Sequence, residues 1–190
     1  MSVRGIEHIG ITVPDIEEAS AFLVAALGAE PLYDMHGASA DAIDEEAERR
    51  SRAQLGTRPG ARWVSSRMLR IGEGPSIELF EYADPDQVPA VTASDLGIQH
   101  FAVYVDDIDA ARDRIVAAGG TANEGPSILG GAEGGENNKW LYTVAPWGSI
   151  IELVSRPSPE QYEETTRLRR WRPPRATEQP AADSAGKEQA

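Results

Sequence analysis

The chain contains no cysteine. That excludes a disulfide framework and every thiolate metal site. It has no run approaching 18 apolar residues, so no segment reads as a membrane span. The opening Met1-Ser-Val-Arg-Gly-Ile-Glu-His lacks an apolar signal core, and a cytoplasmic location is the expectation. Basic residues are scarce: 18 Lys and Arg stand against 31 Asp and Glu, a net charge of −13. Binding to phosphate backbones needs clustered cations, so nucleic acid is not an expected partner. Residues 156–190 are near neutral, with seven basic and six acidic side chains, which leaves the acidity in the body of the chain. Such a charge favours solubility and names no substrate.

What the chain does have is one pattern written twice. His8-Ile-Gly-Ile-Thr-Val-Pro-Asp-Ile opens the first half, and His100-Phe-Ala-Val-Tyr-Val-Asp-Asp-Ile opens the second. A shift of 92 positions lays residues 8–30 on 100–122 without a gap, and nine of the 23 pairs are identical. They include the histidines, Asp15/Asp107, Ala26/Ala118 and Gly28/Gly120. Each half closes on an Ile-Glu-Leu segment, Ile77-Glu78-Leu79 and Ile151-Glu152-Leu153. Two copies are too few for a solenoid, so this is a duplicated two-module domain.

The local signals repeat as well. Residues 4–13 alternate in the manner of a strand. Asp15 is placed to cap a helix over 16–27 that Gly28 ends. A strand over 29–36 and a hairpin over 62–71 and 75–82 complete a βαβββ unit. The second unit predicts a strand at 98–105, a helix at 108–118 capped by Asp107, a short strand, a Gly-rich loop at 125–137, and strands at 138–145 and 149–155. The fold class is therefore α+β: two βαβββ modules forming a cupped, barrel-like mixed sheet with the helices outside. The modules cover residues 1–90 and 91–155, with a C-terminal extension at 156–190. A helix is expected from Ser158 to Arg170, and 176–190 has the composition of a disordered segment.

The copies differ in length. His8 to Glu78 spans 70 positions and His100 to Glu152 spans 52. The excess falls in a helical insertion at about 40–60, where Glu45/Arg49, Glu46/Arg50 and Glu48/Arg52 stand four apart in the order that favours an exposed helix. It reads either as a solvated surface helix or as a lid over a pocket.

Strand parity then selects four residues. His8, Glu78, His100 and Glu152 are each flanked by apolar neighbours that belong to a core, so the four project to the opposite, concave face. Set side by side, two such sheets bring the four together. Two imidazoles and two carboxylates suit one divalent ion per site, Zn, Ni, Co, Mn or Fe. The third histidine, His36, has no counterpart in the second module. Tyr104, which shares the parity of His100, is a candidate substrate-binding residue, as are Trp140 and Tyr142 on the neighbouring strand. Core packing is the alternative for all three.

These segments, with Ser76-Ile-Glu-Leu-Phe-Glu and Pro146-Trp-Gly-Ser-Ile-Ile-Glu-Leu-Val, resemble the vicinal oxygen chelate superfamily over about residues 4–155. That superfamily includes glyoxalase I, methylmalonyl-CoA epimerase, extradiol dioxygenases and antibiotic-resistance proteins. The resemblance implies that His8, Glu78, His100 and Glu152 are metal ligands. It also implies a homodimer and a small-molecule substrate with adjacent oxygens. A bound metal of this kind acidifies the C–H beside a carbonyl. Glu152 is the first choice for the base and Glu78 the second carboxylate able to carry a proton, although a glutamate elsewhere, including the insertion, is an alternative. The expected activity is that of a glyoxalase-like lyase or an epimerase. A ferrous extradiol-type dioxygenase and a non-catalytic binding protein are the rivals. Arg67, Arg70 and Lys139 are the visible cations for an anionic substrate near the cup. The modules pair either within one chain or between two.

Overall fold

The computed structural model describes residues 5–37, 45–90 and 92–174. The segment 176–190 therefore lies outside the described residues. The first module runs β1 (His8–Val13), α1 (Ile16–Leu27), β2 (Glu30–His36), α2 (Glu45–Leu55), β3 (Arg62–Arg70) and β4 (Ser76–Ala83). The second runs β5 (His100–Tyr104), α3 (Ile108–Ala117), β6 (Thr121–Ala122), β7 (Ser127–Ile128), β8 (Lys139–Val144) and β9 (Ile150–Ser155). Each module makes its own sheet, in the orders β1-β4-β3-β2 and β5-β9-β8-β6, with β7 added along β8. The two sheets are cupped and separate, and no closed barrel forms.

The caps follow from the side chains. Asp15 Oδ1 accepts from Glu18 N at 2.9 Å, and Asp107 Oδ1 accepts from Ala110 N at 3.0 Å, each supplying a partner to an orphan amide of a first helical turn. The matched glycines 28 and 120 serve different ends. Gly28 closes α1 with φ 66°, a left-handed backbone that a Cβ disfavours. At Gly120 a Cβ would stand 2.9 Å from both Ile115 Cγ2 and Val144 O, so there the need is close approach of the chain to α3 and β8.

Apolar side chains on one face of each sheet meet the helices. Ile77, Leu79 and Leu69 pack beneath Phe22, Leu23 and Ala26 of α1, and Ile151 and Ile115 join the same core. Leu141 and Leu153 pack with Ile108 and Ala111 of α3. Burying each large aliphatic side chain contributes roughly 1.5–3 kcal/mol. The modules dock through α1 and α3, and beside that contact Phe22 of α1 meets Trp147 of the β8–β9 turn edge-on at 5.3 Å.

Arg67 lies on this helix side of β3, not in the cup. It donates to Asp34 of β2 at 2.7 and 2.9 Å and to Glu17 of α1 at 2.8 and 2.9 Å. Its guanidinium holds the Asp34 carboxyl below the ordinary value of 3.8. That stabilisation is complete above the unfolded-state pKa and is lost as pH falls through the lower folded-state value. Because Asp34 and Glu17 are largely open to solvent, Arg67→Ala is expected to cost about 1 kcal/mol at pH 7. Urea midpoints of the two proteins converge as the buffer is taken below pH 3.

The helix expected at 158–170 is replaced by a strap with one short turn at Gln161–Glu164. Its anchor is Glu160, whose side chain is fully buried and lies 3.2 Å from Arg156 and 3.1 Å from Arg172. Prolines at 157 and 159 deny the segment regular helical hydrogen bonding at its start.

Candidate functional site

In β1 and β4, paired in parallel, His8 stands opposite Ser76 and Gly10 opposite Glu78. In β5 and β9, His100 stands opposite Ile150 and Ala102 opposite Glu152. The same offset therefore sets the same diagonal in both modules. His8 Nε2 lies 3.4 Å from Glu78 Oε2, and His100 Nε2 lies 3.0 Å from Glu152 Oε2. In each case a very small side chain or none, Gly10 or Ala102, flanks the carboxylate. The carboxylates are the better buried partners: Glu78 and Glu152 are 10% and 16% exposed, against 41% and 25% for the histidines.

The far side of each ring is also held. His8 Nδ1 bonds the Glu7 carboxylate, and His100 Nδ1 bonds Gln99 Oε1 at 2.8 Å. An oxygen acceptor at Nδ1 fixes the orientation of the ring, so Nε2 is the nitrogen presented to the glutamate. Glu7 also raises the His8 pKa above its usual 6.5, and Glu78 acts in the same direction. These two holders were not singled out from the sequence. The signal was one position away, because Glu7 and Gln99 are matched by the same shift of 92.

The four residues do not converge within one chain. Among the described residues, no three His, Cys, Asp or Glu side chains are grouped to hold a metal. The reason lies in the docking: α1 and α3 meet on the faces of the sheets opposite to the His–Glu pairs. What remains are two half-sites of like construction, each with one imidazole nitrogen and one carboxylate.

The aromatic candidates divide. Tyr142 lies 5.1 Å from the His100 ring and Trp140 lies 5.1 Å from Tyr142, centroid to centroid, so both extend from that half-site. Burial, with Glu152 second, raises the Tyr142 pKa. Tyr104 is placed away from His100, under the strap, and its hydroxyl donates to Arg156 O at 2.7 Å. His36 ends β2, opposite Ser65. Arg70 is paired with Glu30, and Lys139 shares the opposite parity from Trp140 and Tyr142.

A cavity of about 650 Å³ opens beside Glu78. Trp63, Phe80 and Met35 form its sheet side, and Arg50, Ser51, Gln54 and Leu55 of α2 face them. The inserted helix thus roofs a pocket. Its expected Glu46/Arg50 pairing gives way to Glu46 with Arg49 at 2.6 Å, and Glu48 accepts from Gly60 N instead of meeting Arg52. Two buried polar atoms of this sheet, Trp63 Nε1 and Ser66 Oγ, have no hydrogen-bond partner among the described residues.

Comparison with known proteins agrees with this architecture. A family profile described as the Glyoxalase/Bleomycin resistance protein/Dioxygenase superfamily matches residues 7–136. A 2-epi-5-epi-valiolone epimerase from Actinomyces sp is 32% identical over 176 residues, covering 88% of each chain. A glyoxalase family protein from Bacillus cereus superposes with a TM-score of 0.61 at 17% identity, covering 82% of this chain and 95% of its own. A mutant of the fosfomycin resistance protein FosX from Listeria monocytogenes, complexed with Mn(II) and 1S,2S-dihydroxypropylphosphonic acid, superposes with a TM-score of 0.54 at 17% identity. It covers 87% of this chain and all of its own. No helix among the described residues is long and apolar enough to cross a membrane.

Proposed function

Because the chain belongs to the glyoxalase/bleomycin resistance protein/dioxygenase superfamily, we propose that its paired His–Glu half-sites serve a divalent-metal-dependent epimerase acting beside the carbonyl of a hydroxylated ring ketone. The observation that carries this reading is the duplicated pair itself. Each presents an Nε2 to a carboxylate and has its Nδ1 fixed by a neighbouring oxygen. Two neutral imidazoles and two carboxylates suit Zn, Ni, Co, Mn or Fe(II), and their two negative charges offset those of the ion. The similarity to an epimerase over most of the chain favours isomerase over lyase chemistry.

We propose further that the site is completed between two copies, His8 and Glu78 of one chain meeting His100 and Glu152 of a second. Both histidine strands, β1 and β5, are edge strands, with one side unpaired among the described residues. Ile6 and Ile98, matched by the repeat and lying just before those strands, are 74% and 75% exposed. Exposed apolar side chains at equivalent positions suit a two-fold interface, where the same surfaces meet twice.

When bound, the metal would act as a Lewis acid toward the substrate carbonyl. The protein residues do the rest. Inversion requires a proton to leave one face of a carbon and another to arrive at the opposite face. Two carboxylates contributed by two sheets can flank the ring, so Glu152 takes the proton and Glu78 returns one, or the reverse. The held imidazoles keep their Nε2 atoms oriented, which limits reorganisation during the reaction.

The test begins with metal. The purified protein should hold close to one divalent ion per His–Glu set, and His100→Ala should lose most of it, measured by elemental analysis against protein concentration. 2-epi-5-epi-valiolone and related hydroxylated ring ketones, incubated with the loaded protein in D2O, should gain deuterium beside the carbonyl. A protein that takes up none of the five metals, or that leaves every ketone unlabelled, rules the reading out.

A further inference from the structure

The repeat explains the His–Glu pairs but not the cavity beside Glu78, because α2 has no counterpart in the second module. The helix presents two different sides. Arg49 is spent on Glu46. Arg50, the next residue, points its function elsewhere: it lines the cavity and has no hydrogen bond or ion pair among the described residues. Arg62, from the start of β3, lines the same cavity. In a chain with a net charge of −13, Arg50 is a guanidinium held at a cavity with its charge unmatched by any described residue.

The rest of the lining is equally informative. Trp63 and Phe80 offer aromatic faces, while Ser51 and Gln54 offer hydroxyl and amide groups. Trp63 Nε1 is a buried donor without an acceptor among the described residues. Ser66, 1% exposed, is not itself in the lining but lies between the lining residues Met35 and Phe80 in sheet register, and its hydroxyl also has no partner among the described residues. Buried polar groups left unpaired are costly, and a ligand carrying oxygens relieves that cost. Guanidinium groups match the paired oxygens of phosphate and carboxylate.

We infer that the α2-roofed cavity recognises an anionic group, a phosphate ester or a carboxylate, on the hydroxylated ring, with Arg50 as the residue that sets this preference. The ring lies against Trp63 and Phe80, its hydroxyls meet the polar groups of the cavity, and its carbonyl end is directed toward Glu78. Arg50 is a specificity residue and takes no part in proton transfer. The assignment rests on the reading of the Glu78 face as the substrate side of an epimerase, and it narrows the substrate to a charged ring.

Binding measured apart from turnover separates the two ideas. The full-length protein is titrated calorimetrically with myo-inositol, myo-inositol 1-phosphate and quinate: one neutral ring, one phosphorylated ring and one ring carboxylate. A charge-assisted contact corresponds to about tenfold or more in affinity, so at least one charged ring should bind that much more tightly than inositol. Which of the two does so identifies the anion. Arg50→Gln should abolish the preference, Arg50→Lys should restore part of it, and Arg52→Gln, one turn-face away on the same helix, should leave it intact. Equal affinities for all three rings, no binding by any of them, or an undiminished preference in R50Q overturns the proposal. A preference that depends on Arg50 in a protein that exchanges no ketone proton leaves anion recognition standing and removes the epimerase reading instead.

Discussion

Mixing two inactive variants, His8→Ala and His100→Ala, restores activity to about a quarter of the wild-type level once subunits have exchanged. The arithmetic follows from a two-fold pairing of half-sites. In a mixed dimer, one site has lost both histidines, and the other draws an intact His8 from one chain and an intact His100 from its neighbour. About half of the dimers are mixed after random exchange, and each carries one working site of two. Each variant alone has no complete site. The measurement is the rate of deuterium uptake before and after the two proteins are unfolded together and refolded, with mixed dimers verified by mass. Mixed dimers that remain inactive place the four residues in some other relation and sink the shared site.

The second large effect belongs to the carboxylates. Glu152→Gln keeps the size of the side chain and removes its ability to accept a proton, and turnover should fall by roughly 10²–10⁴-fold. Glu78→Gln should lower epimerisation to a similar extent, but the pair differ in what survives. With one carboxylate on each face, a variant can still remove and replace the proton on the face that keeps its base. It should therefore exchange deuterium into one epimer without inverting it, and the other variant should do so with the opposite epimer. Loss of exchange from both epimers in both variants would mean that a single carboxylate works both faces.

Much of the fold was legible because it is written locally. Asp15, Gly28 and Asp107 are short-range signals, and each caps or ends a helix within a residue of the expected position. Strand parity is equally local, which is why the His–Glu pairs were found on the right faces. The relation between the modules is another matter. The repeat specifies contacts inside each copy, whereas docking depends on which apolar surface is covered by which. Here α1 and α3 cover one another, so the pairs stay apart in a single chain. Arg67 was misread for a related reason. Its parity in β3 is opposite to that of Met68, which stands across from Glu78, so a count of parity through the β3–β4 hairpin places it with Leu79 on the side of α1. The expected helix after Ser158 failed where tertiary charge pairing around Glu160 outweighed helix propensity. Tyr104 keeps the face of His100, but its hydroxyl is taken up by the carbonyl of Arg156, a partner outside the repeat.

One detail of the parallel strand register carries further. Glu78 is flanked across the strands by Gly10, and Glu152 by Ala102. A proton carrier has to travel: the atom that collects a proton is rarely at rest where it must be delivered. Side chains move between rotamers easily only when nothing beside them has to move first. Here that freedom is narrow: the Phe80 ring lies over Gly10, and Met68 and Tyr142 flank the two carboxylates on the other side, so the duplicated unit confines any swing of Glu78 or Glu152 to the side of its own histidine.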